Sequence, residues 1–464
     1  MRLPNRLREG YGFQLEHVSW ALEQGASLIV TCDCGSTAIE AVTAALDQDL
    51  DVIVSDHHQP ARPLPSGAIE INPHRRQGSY PFRDLCGAGL ALKLTTALSD
   101  ACGRDPALDS LLRVACLGTI SDMVPLTGEN RTIAALGLDA LPASPSPGLQ
   151  ALMRLARVRP PLAAKDVALR VGPRLNAAGR LASADLALNL LLTRDSSDAR
   201  RIAESLERLN RERQTEEAAV IERAQELIAR SRRDPPIIVL WDRSWHPGVV
   251  GIAATRLTQK YHRPAILFAV RDGIARGSGR SVPGVDLHGF LAPWEQELER
   301  FGGHRAAVGL TALEESLNEL RNAWWRAAEG WPEEALERKL SYELELAPGE
   351  LGQPLLDQIA QLEPFGTGNP QPLIRVTPLR LTGPPRLFGR GHLEAQAEDL
   401  RSSASRLRLI GWRWAERKED LAGDFEALGY LEHDRYNDAP CLRLVEVRPL
   451  AQGDSERLPA EKGI

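Results

Sequence analysis

Residues 51–60 read DVIVSDHHQP, so the apolar run Val52-Ile53-Val54 leads straight into Asp56, His57 and His58. One carboxylate and two imidazoles at the tip of a buried strand need a compensating partner, because burying polar groups unpaired is costly. Asp33 follows a second apolar run, SLIVT (27–31), and Asp122 follows the helical stretch LLRVACLGTIS. Mixed carboxylate and imidazole donors suit Mn²⁺ or Zn²⁺. Two such ions ~3.5–4 Å apart clamp the attacking and leaving oxygens of a phosphoryl transfer, and one of them activates water. Asp33 has the position to bridge a pair. Taken singly, an Asp after a strand is usually a helix cap and a buried His is usually just hydrogen-bonded. Together they predict a metal site.

The elements that must hold these groups are legible as a βαβ unit. Strands are expected at 27–31 and 52–55, with a helix over Ser36–Leu46, giving a right-handed parallel crossover. Loops at the carboxyl ends of such strands gather in one crevice, so Asp33 and Asp56-His57-His58 are expected to face it. Residues 142–148 (PASPSPG) read as a turn-rich linker. From 194 to 233 neither proline nor glycine occurs, and charges of both signs interleave with apolar residues at helical spacing. This predicts a long connecting helix. Residues 236–269 return to α/β, and 340–450 carry short alternating runs that favour a small antiparallel β domain.

The expected fold class is thus α/β: a parallel-sheet domain (1–150), a helical region with the long helix (151–234), a second α/β domain (235–335) and a small β-barrel (340–450). The tail 451–464 is expected to be disordered.

Composition sets outer bounds. The chain has 464 residues, 43% hydrophobic, with a net charge of −6. That is enough for roughly three domains of about 150 residues. No run approaches the ~20 apolar residues of a membrane span, and the opening MRLPNRLREGYGFQLE lacks an apolar secretory segment. Six cysteines without a paired framework fit a reducing cytosol. Cys32 and Cys34 form a C-x-C, but no second pair follows, so structural zinc is not expected. Mild acidity argues against a uniformly basic nucleic-acid binder and leaves room for a local groove.

VSDHH, with TCDCG upstream and GTISDMVPL downstream, resembles the DHH phosphoesterase superfamily. The stretches RVGPRLNAAGRL (170–181), SWHPGVVGIAATRL (244–257), GSGRS (277–281), FGGHRAAVG (301–309) and LEPFGTGNPQP (362–372) narrow this to a resemblance to the RecJ-type single-stranded-DNA exonucleases. The resemblance implies stepwise hydrolysis of single-stranded DNA from its 5′ end with Mn²⁺ or Mg²⁺, in repair and recombination. It makes Asp33, His57 and Asp122 metal ligands, places Asp56 in or beside that ligand set, and turns His58 toward the scissile phosphate. It assigns the second α/β domain to the DHHA1 type and the β region to an oligonucleotide-binding (OB) fold.

Arg174, Asn176 and Arg180 are candidates to line the strand path. In GSGRS, Ser278 and Arg280 with the flanking glycine amides are candidates for a phosphate, as are Gly302, Gly303 and His304 in FGGH. Pro247-Gly248 mark a helix start that favours anions. Phe388, Trp412, Trp414 and Tyr436 are candidate stacking platforms, although the acidic GHLEAQAED argues against strong electrostatic binding there. The implied partners are single-stranded DNA, a helicase and a single-strand-binding protein. A cytoplasmic monomer away from any membrane is expected.

The family's Asp-x-Asp segment has no counterpart before Asp33. Two readings follow: a start that omits the motif of a complete exonuclease, or a degenerate homologue that binds DNA or a partner without cutting. In either case one metal position is expected to be weak, and hydrolysis to fall far below that of a complete relative. A small-molecule phosphoesterase is disfavoured by the β region and the long helix.

Overall fold

In the computed structural model, β1 (Leu28–Cys32) and β2 (Asp51–Ser55) pair in parallel, with Leu28 opposite Asp51 and Cys32 opposite Ser55. β3 (Ile69–Ile71) adds in parallel on the far side of β2. Residues 1–4, 9, 12–60, 62–75, 78–231, 234–389, 391–434 and 437–450 are described, so Tyr436 and the tail lie outside the described residues. α1 (Leu15–Glu23) and α2 (Ile39–Leu46) share a core with β2, where Val52 and Val54 pack with Val18, Val42 and Ala45. Each of these buried valines contributes about 1.5–3 kcal/mol.

Helices α3 (Gly87–Ala101), α4 (Leu108–Ser121) and α5 (Gly128–Ala140) follow. α3 and α4 share a core of Leu90, Leu92, Leu112 and Ala115. The expected linker at 142–148 is a 3₁₀ turn (Leu141–Ala143) running into α6 (Pro147–Leu155). Its prolines and serines are helix-entry signals: Ser146 Oγ accepts the Leu149 N–H at 3.4 Å, and Pro147 at the first helical position loses no hydrogen bond. α7 (Ala164–Asp166) passes through a π-turn (Val167–Val171) into α8 (Gly172–Leu181), followed by α9 (Asp185–Leu192).

The long helix is α10 (Ser196–Arg230), 35 residues, or about 50 Å at 1.5 Å per residue. Asp195 caps it, accepting the Ser197 and Asp198 N–H groups at 2.9 and 2.7 Å. It packs against α6, α8 and α9, and its later part, through Val220 and Ala224, against α11 (Val250–Tyr261). At mid-length its buried side is polar. Arg213 bonds Glu217 at 2.7 Å and Asn210 at 3.1 Å, and Arg256 of α11 reaches Glu217 at 3.3 Å.

The second sheet has the order β4 (Ile238–Asp242), β5 (Ala265–Arg271), β6 (Ile274–Arg280), β8 (Ala307–Leu313), β7 (Arg300–His304). Only β4 and β5 run parallel. β5 is buried on both faces, so it reads as continuous apolar sequence. Ala265, Leu267 and Ala269 meet α11, while Ile266, Phe268 and Val270 join α12 (Leu287–Leu291) and α13 (Leu317–Ala328) in the opposite core. These elements, apart from the first four residues of α5, belong to one compact unit made of residues 1–124 and 132–339.

The second unit takes residues 125–131 together with 340 onward. Leu126 N–H donates to the Thr367 carbonyl at 2.6 Å, and Arg131 donates to the Gln361 and Glu363 carbonyls at 3.3 and 3.1 Å. Its strands are β9 (Leu344–Leu346), β10 (Ile374–Leu381), β11 (Arg386–Phe388), β12 (His392–Asp399), β13 (Ser402–Gly411), β14 (Asp424–Asp434) and β15 (Ala439–Pro449). The pairings β12–β13–β15–β14–β10 return to β12, an OB-like ring of five strands around Phe425, Leu379 and Leu409. Arg375, Arg386, Arg408, Arg417 and Arg443 on this unit each pair with a carboxylate. Little of that positive charge is left over for a phosphate backbone.

Candidate metal centre

Asp33 sits one residue beyond β1, its N–H extending the ladder to the Ser55 carbonyl at 2.9 Å. Its backbone is left-handed, φ 64°, a conformation that Asp and Asn tolerate better than other side-chain-bearing residues. Thr31 Oγ1 donates to the Cys34 carbonyl at 2.7 Å and tightens the turn.

Beyond β2, Asp56 is 1% exposed. One carboxylate oxygen accepts the Ser36 N–H at 2.9 Å. The other accepts the His57 N–H at 2.8 Å, the His58 N–H at 3.2 Å and His58 Nδ1 at 2.7 Å. Burial alone would raise this carboxyl, but the bonds from His58 and Ser36 outweigh it and hold the group well below the usual carboxylate range. Asp56 in return raises the His58 imidazole above its ordinary value, against the opposing effect of burial. Asp56 therefore shapes the loop and orients His58, and its oxygens are committed to that task.

Asn72, just beyond β3, completes the frame. It donates to Ser36 Oγ at 2.7 Å and to the His58 carbonyl at 2.9 Å, and accepts the His74 N–H at 2.8 Å. Sequence reasoning passed over it. The signal was an Asn-Pro step closing the apolar run AIEI.

His57 carries the decisive atom. Its Nε2 lies 3.1 Å from Asp33 Oδ1 and 3.5 Å from Asp122 Oδ2, with its side chain only 14% exposed. That nitrogen is buried and has no hydrogen-bond partner. A buried nitrogen facing two carboxylates fits a divalent cation, which would satisfy all three. Ligand atoms of Asp33, His57 and His58 lie within 4.8 Å of one another, and Asp122 joins through His57. Asp122 caps the C-terminal end of α4. Burial, reinforced by Asp33, raises its carboxyl above the ordinary value, against the lowering effect of His57 and His58. Nitrogen and oxygen donors together suit Mn²⁺, with Mg²⁺ an oxygen-preferring second.

The other candidates separate by their partners. Arg174 does not present a free charge: it donates to Glu207 of α10 and to the Arg170 carbonyl, both at 2.6 Å. Asn176 is exposed. Arg180 donates to the Gly248 carbonyl at 3.3 Å, tying α8 to the turn before α11. GSGRS is not a phosphate-cradling loop, because β6 is an interior strand whose backbone pairs with β5 and β8. Ser278 and Arg280 are offered by their side chains instead. Arg280 donates to Ser278 Oγ at 3.0 Å and to the Gly279 carbonyl at 2.8 Å, with no carboxylate at ion-pair distance among the described residues. Burial lowers its guanidinium below the ordinary value.

Gly302, Gly303 and His304 lie exposed on β7, the edge strand, where one side of the backbone has no ladder partner in the sheet. Trp414 is no platform. It is 6% exposed, packed in the core of its unit under Arg417. Trp412 is 52% exposed and meets His392 and Phe388 edge-on, with ring centroids 4.8 and 5.9 Å away.

These partners predict opposite phenotypes for two arginines. Arg174→Ala is expected to cost about 2 kcal/mol of stability in urea unfolding and to leave oligonucleotide binding intact. Arg280→Ala is expected to cost less stability and to weaken binding of a labelled single strand about tenfold, read by fluorescence anisotropy.

Three family models fall on these layers: the DHH family N-terminal domain over residues 2–119, the DHHA1 domain over 234–330 and the RecJ OB domain over 342–445. The class is thereby a DHH-type protein. Across whole chains, it is 35% identical over 423 residues to the single-stranded-DNA-specific exonuclease RecJ of Bacillus subtilis, covering 90% of this chain and 53% of that protein. It is 36% identical to the corresponding RecJ of Dickeya dadantii, covering 86% of this chain and 73% of that one. The crystal structure of RecJ in complex with Mn²⁺ from Thermus thermophilus superposes with a TM-score of 0.82 at 32% identity, covering 94% of this chain and 64% of that one.

The chain belongs to the RecJ family. It spans about half the length of the Bacillus relative and about three-quarters of the Dickeya relative.

Proposed function

We propose that the chain is a divalent-metal-dependent phosphodiesterase that shortens single-stranded DNA from its 5′ end, in repair and recombination. The observation that carries this is the buried His57 Nε2, which makes no hydrogen bond and faces both the Asp33 and Asp122 carboxylates. Asp33, His57 and Asp122 would hold Mn²⁺ or Mg²⁺, which supplies Lewis-acid polarisation and an activated water when bound. His58, its Nδ1 anchored on Asp56 and its charged form favoured, donates to a phosphate oxygen as charge builds on it. Ser278, Arg280 and the β7 edge at Gly302, Gly303 and His304 bind backbone phosphates. Trp412 and Phe388 offer a stacking face for a base. The 5′ polarity rests on the family resemblance. So do action as a cytoplasmic monomer and partnership with a helicase and a single-strand-binding protein.

A second reading, a strand-binding protein that cuts poorly, is favoured by one observation. Among the described residues a single cluster has metal-ligand geometry, and one ion lacks the two-sided clamp of a paired site. The test is incubation of the purified chain with labelled single-stranded and duplex DNA, with Mn²⁺ or with EDTA. EDTA-sensitive mononucleotide release from the single strand alone supports the first reading. Strand binding without release supports the second, and neither binding nor release overturns both.

A further inference from the structure

We infer that Gly87 and Gly118 are positioning residues of the metal centre, because the close crossing of α3 on α4 sets the separation of Asp33 from Asp122. The inference rests on the metal reading above. α3 begins at Gly87 directly against Asp33. A Cβ there would lie 2.5 Å from Asp33 Oδ1 and 2.7 Å from its Cβ and Cγ, so no side chain fits between this helix start and the carboxylate. One residue on, the Ala88 methyl faces α4, where a Cβ on Gly118 would stand 2.3 Å from it. Glycine inside a helix is unfavourable relative to alanine, so its place in α4 calls for a packing reason. The Ala88 contact is that reason.

Gly118 is also coupled to the ligand beyond it: the Asp122 N–H donates to the Gly118 carbonyl at 2.8 Å. A continuous path therefore runs from the Asp33 carboxylate to Gly87, along one peptide to Ala88, across to Gly118, and up one helical turn to Asp122. No flexible side chain interrupts it. A methyl at position 118 must push α4 off α3 by about 1 Å, and misplacement on that scale disables a preorganised site. His57, two residues beyond the end of β2, is held by the sheet and not by α4, so the three donors lose their common point.

The test is Mn²⁺ binding by the full chain, followed by titration of the free Mn²⁺ electron paramagnetic resonance signal and by calorimetry, alongside thermal unfolding. Gly118→Ala and Gly87→Ala are expected to raise the Mn²⁺ Kd about 10- to 100-fold. Leu92→Ala, which hollows the α3–α4 core without adding a spacer, is expected to lower the melting temperature and leave the Kd within about twofold. The swap Ala88→Gly with Gly118→Ala keeps one methyl between the helices and is expected to restore most of the affinity. Should Gly118→Ala fail to fold, the swap and Gly87→Ala decide. Wild-type affinity in Gly87→Ala and Gly118→Ala, or a swap that folds but does not recover binding, overturns the inference. A wild-type chain that binds no Mn²⁺ overturns the metal reading and leaves no centre to position, so the two failures are distinguishable.

Discussion

Asp33→Asn is expected to abolish measurable Mn²⁺ binding and to lower metal-dependent nucleotide release by about 10³-fold, with thermal unfolding nearly unchanged. The asymmetry follows from placement. Asp33 has a side chain 53% exposed at a strand tip, so exchanging its charge for an amide disturbs little packing. Asparagine also tolerates the left-handed backbone at this position. What disappears is one of the two carboxylates facing His57 Nε2, leaving that nitrogen with Asp122 alone at 3.5 Å. Calorimetry with Mn²⁺ and a release assay on the same preparation check this. Intact metal affinity in the variant would sink the assignment of Asp33 as a ligand.

Asp56→Ala is expected to behave in the opposite way, as a folding defect of about 3–5 kcal/mol with catalytic loss as its consequence. The carboxylate is buried, and four donors converge on it: the N–H groups of Ser36, His57 and His58, and the His58 ring. Alanine strands these donors in the interior, which costs far more than the net worth of the bonds. Asp56→Asn keeps the shape and one acceptor oxygen, so a smaller loss is expected. Urea unfolding of the three chains checks the order. A loss below about 1 kcal/mol for alanine would show that the loop is held elsewhere.

Adjacency in DHH conceals two different placements. His57 and Asp56 are neighbours in sequence, yet His57 Nε2 faces the Asp33 and Asp122 carboxylates while Asp56 faces the loop donors of Ser36, His57 and His58, because successive residues leaving a strand point to opposite sides.

Local order was legible wherever neighbours in sequence decide it. The apolar run Val52-Ile53-Val54, the stretch 194–233 without proline or glycine and the carboxylates and imidazoles at strand tips identified the βαβ unit, the long helix and the metal-binding residue types. Short motifs also carried the family, since they are read as strings and need no coordinates. Direction and partnership were not legible. Arg174 and Arg280 look alike as basic residues in glycine-containing motifs, but Glu207, 33 positions away in sequence, neutralises the first, and among the described residues no carboxylate meets the second. Trp412 and Trp414 are two residues apart, and only the close of the β ring decides that one enters the core and the other faces solvent. Gly87 acquires meaning only because folding brings Asp33 to within a bond length or two of where its side chain would be. The sequence by itself determined which chemistry this protein can hold. The tertiary structure decided which atoms meet, because side-chain direction and long-range contact follow from packing among elements that sequence spacing does not encode.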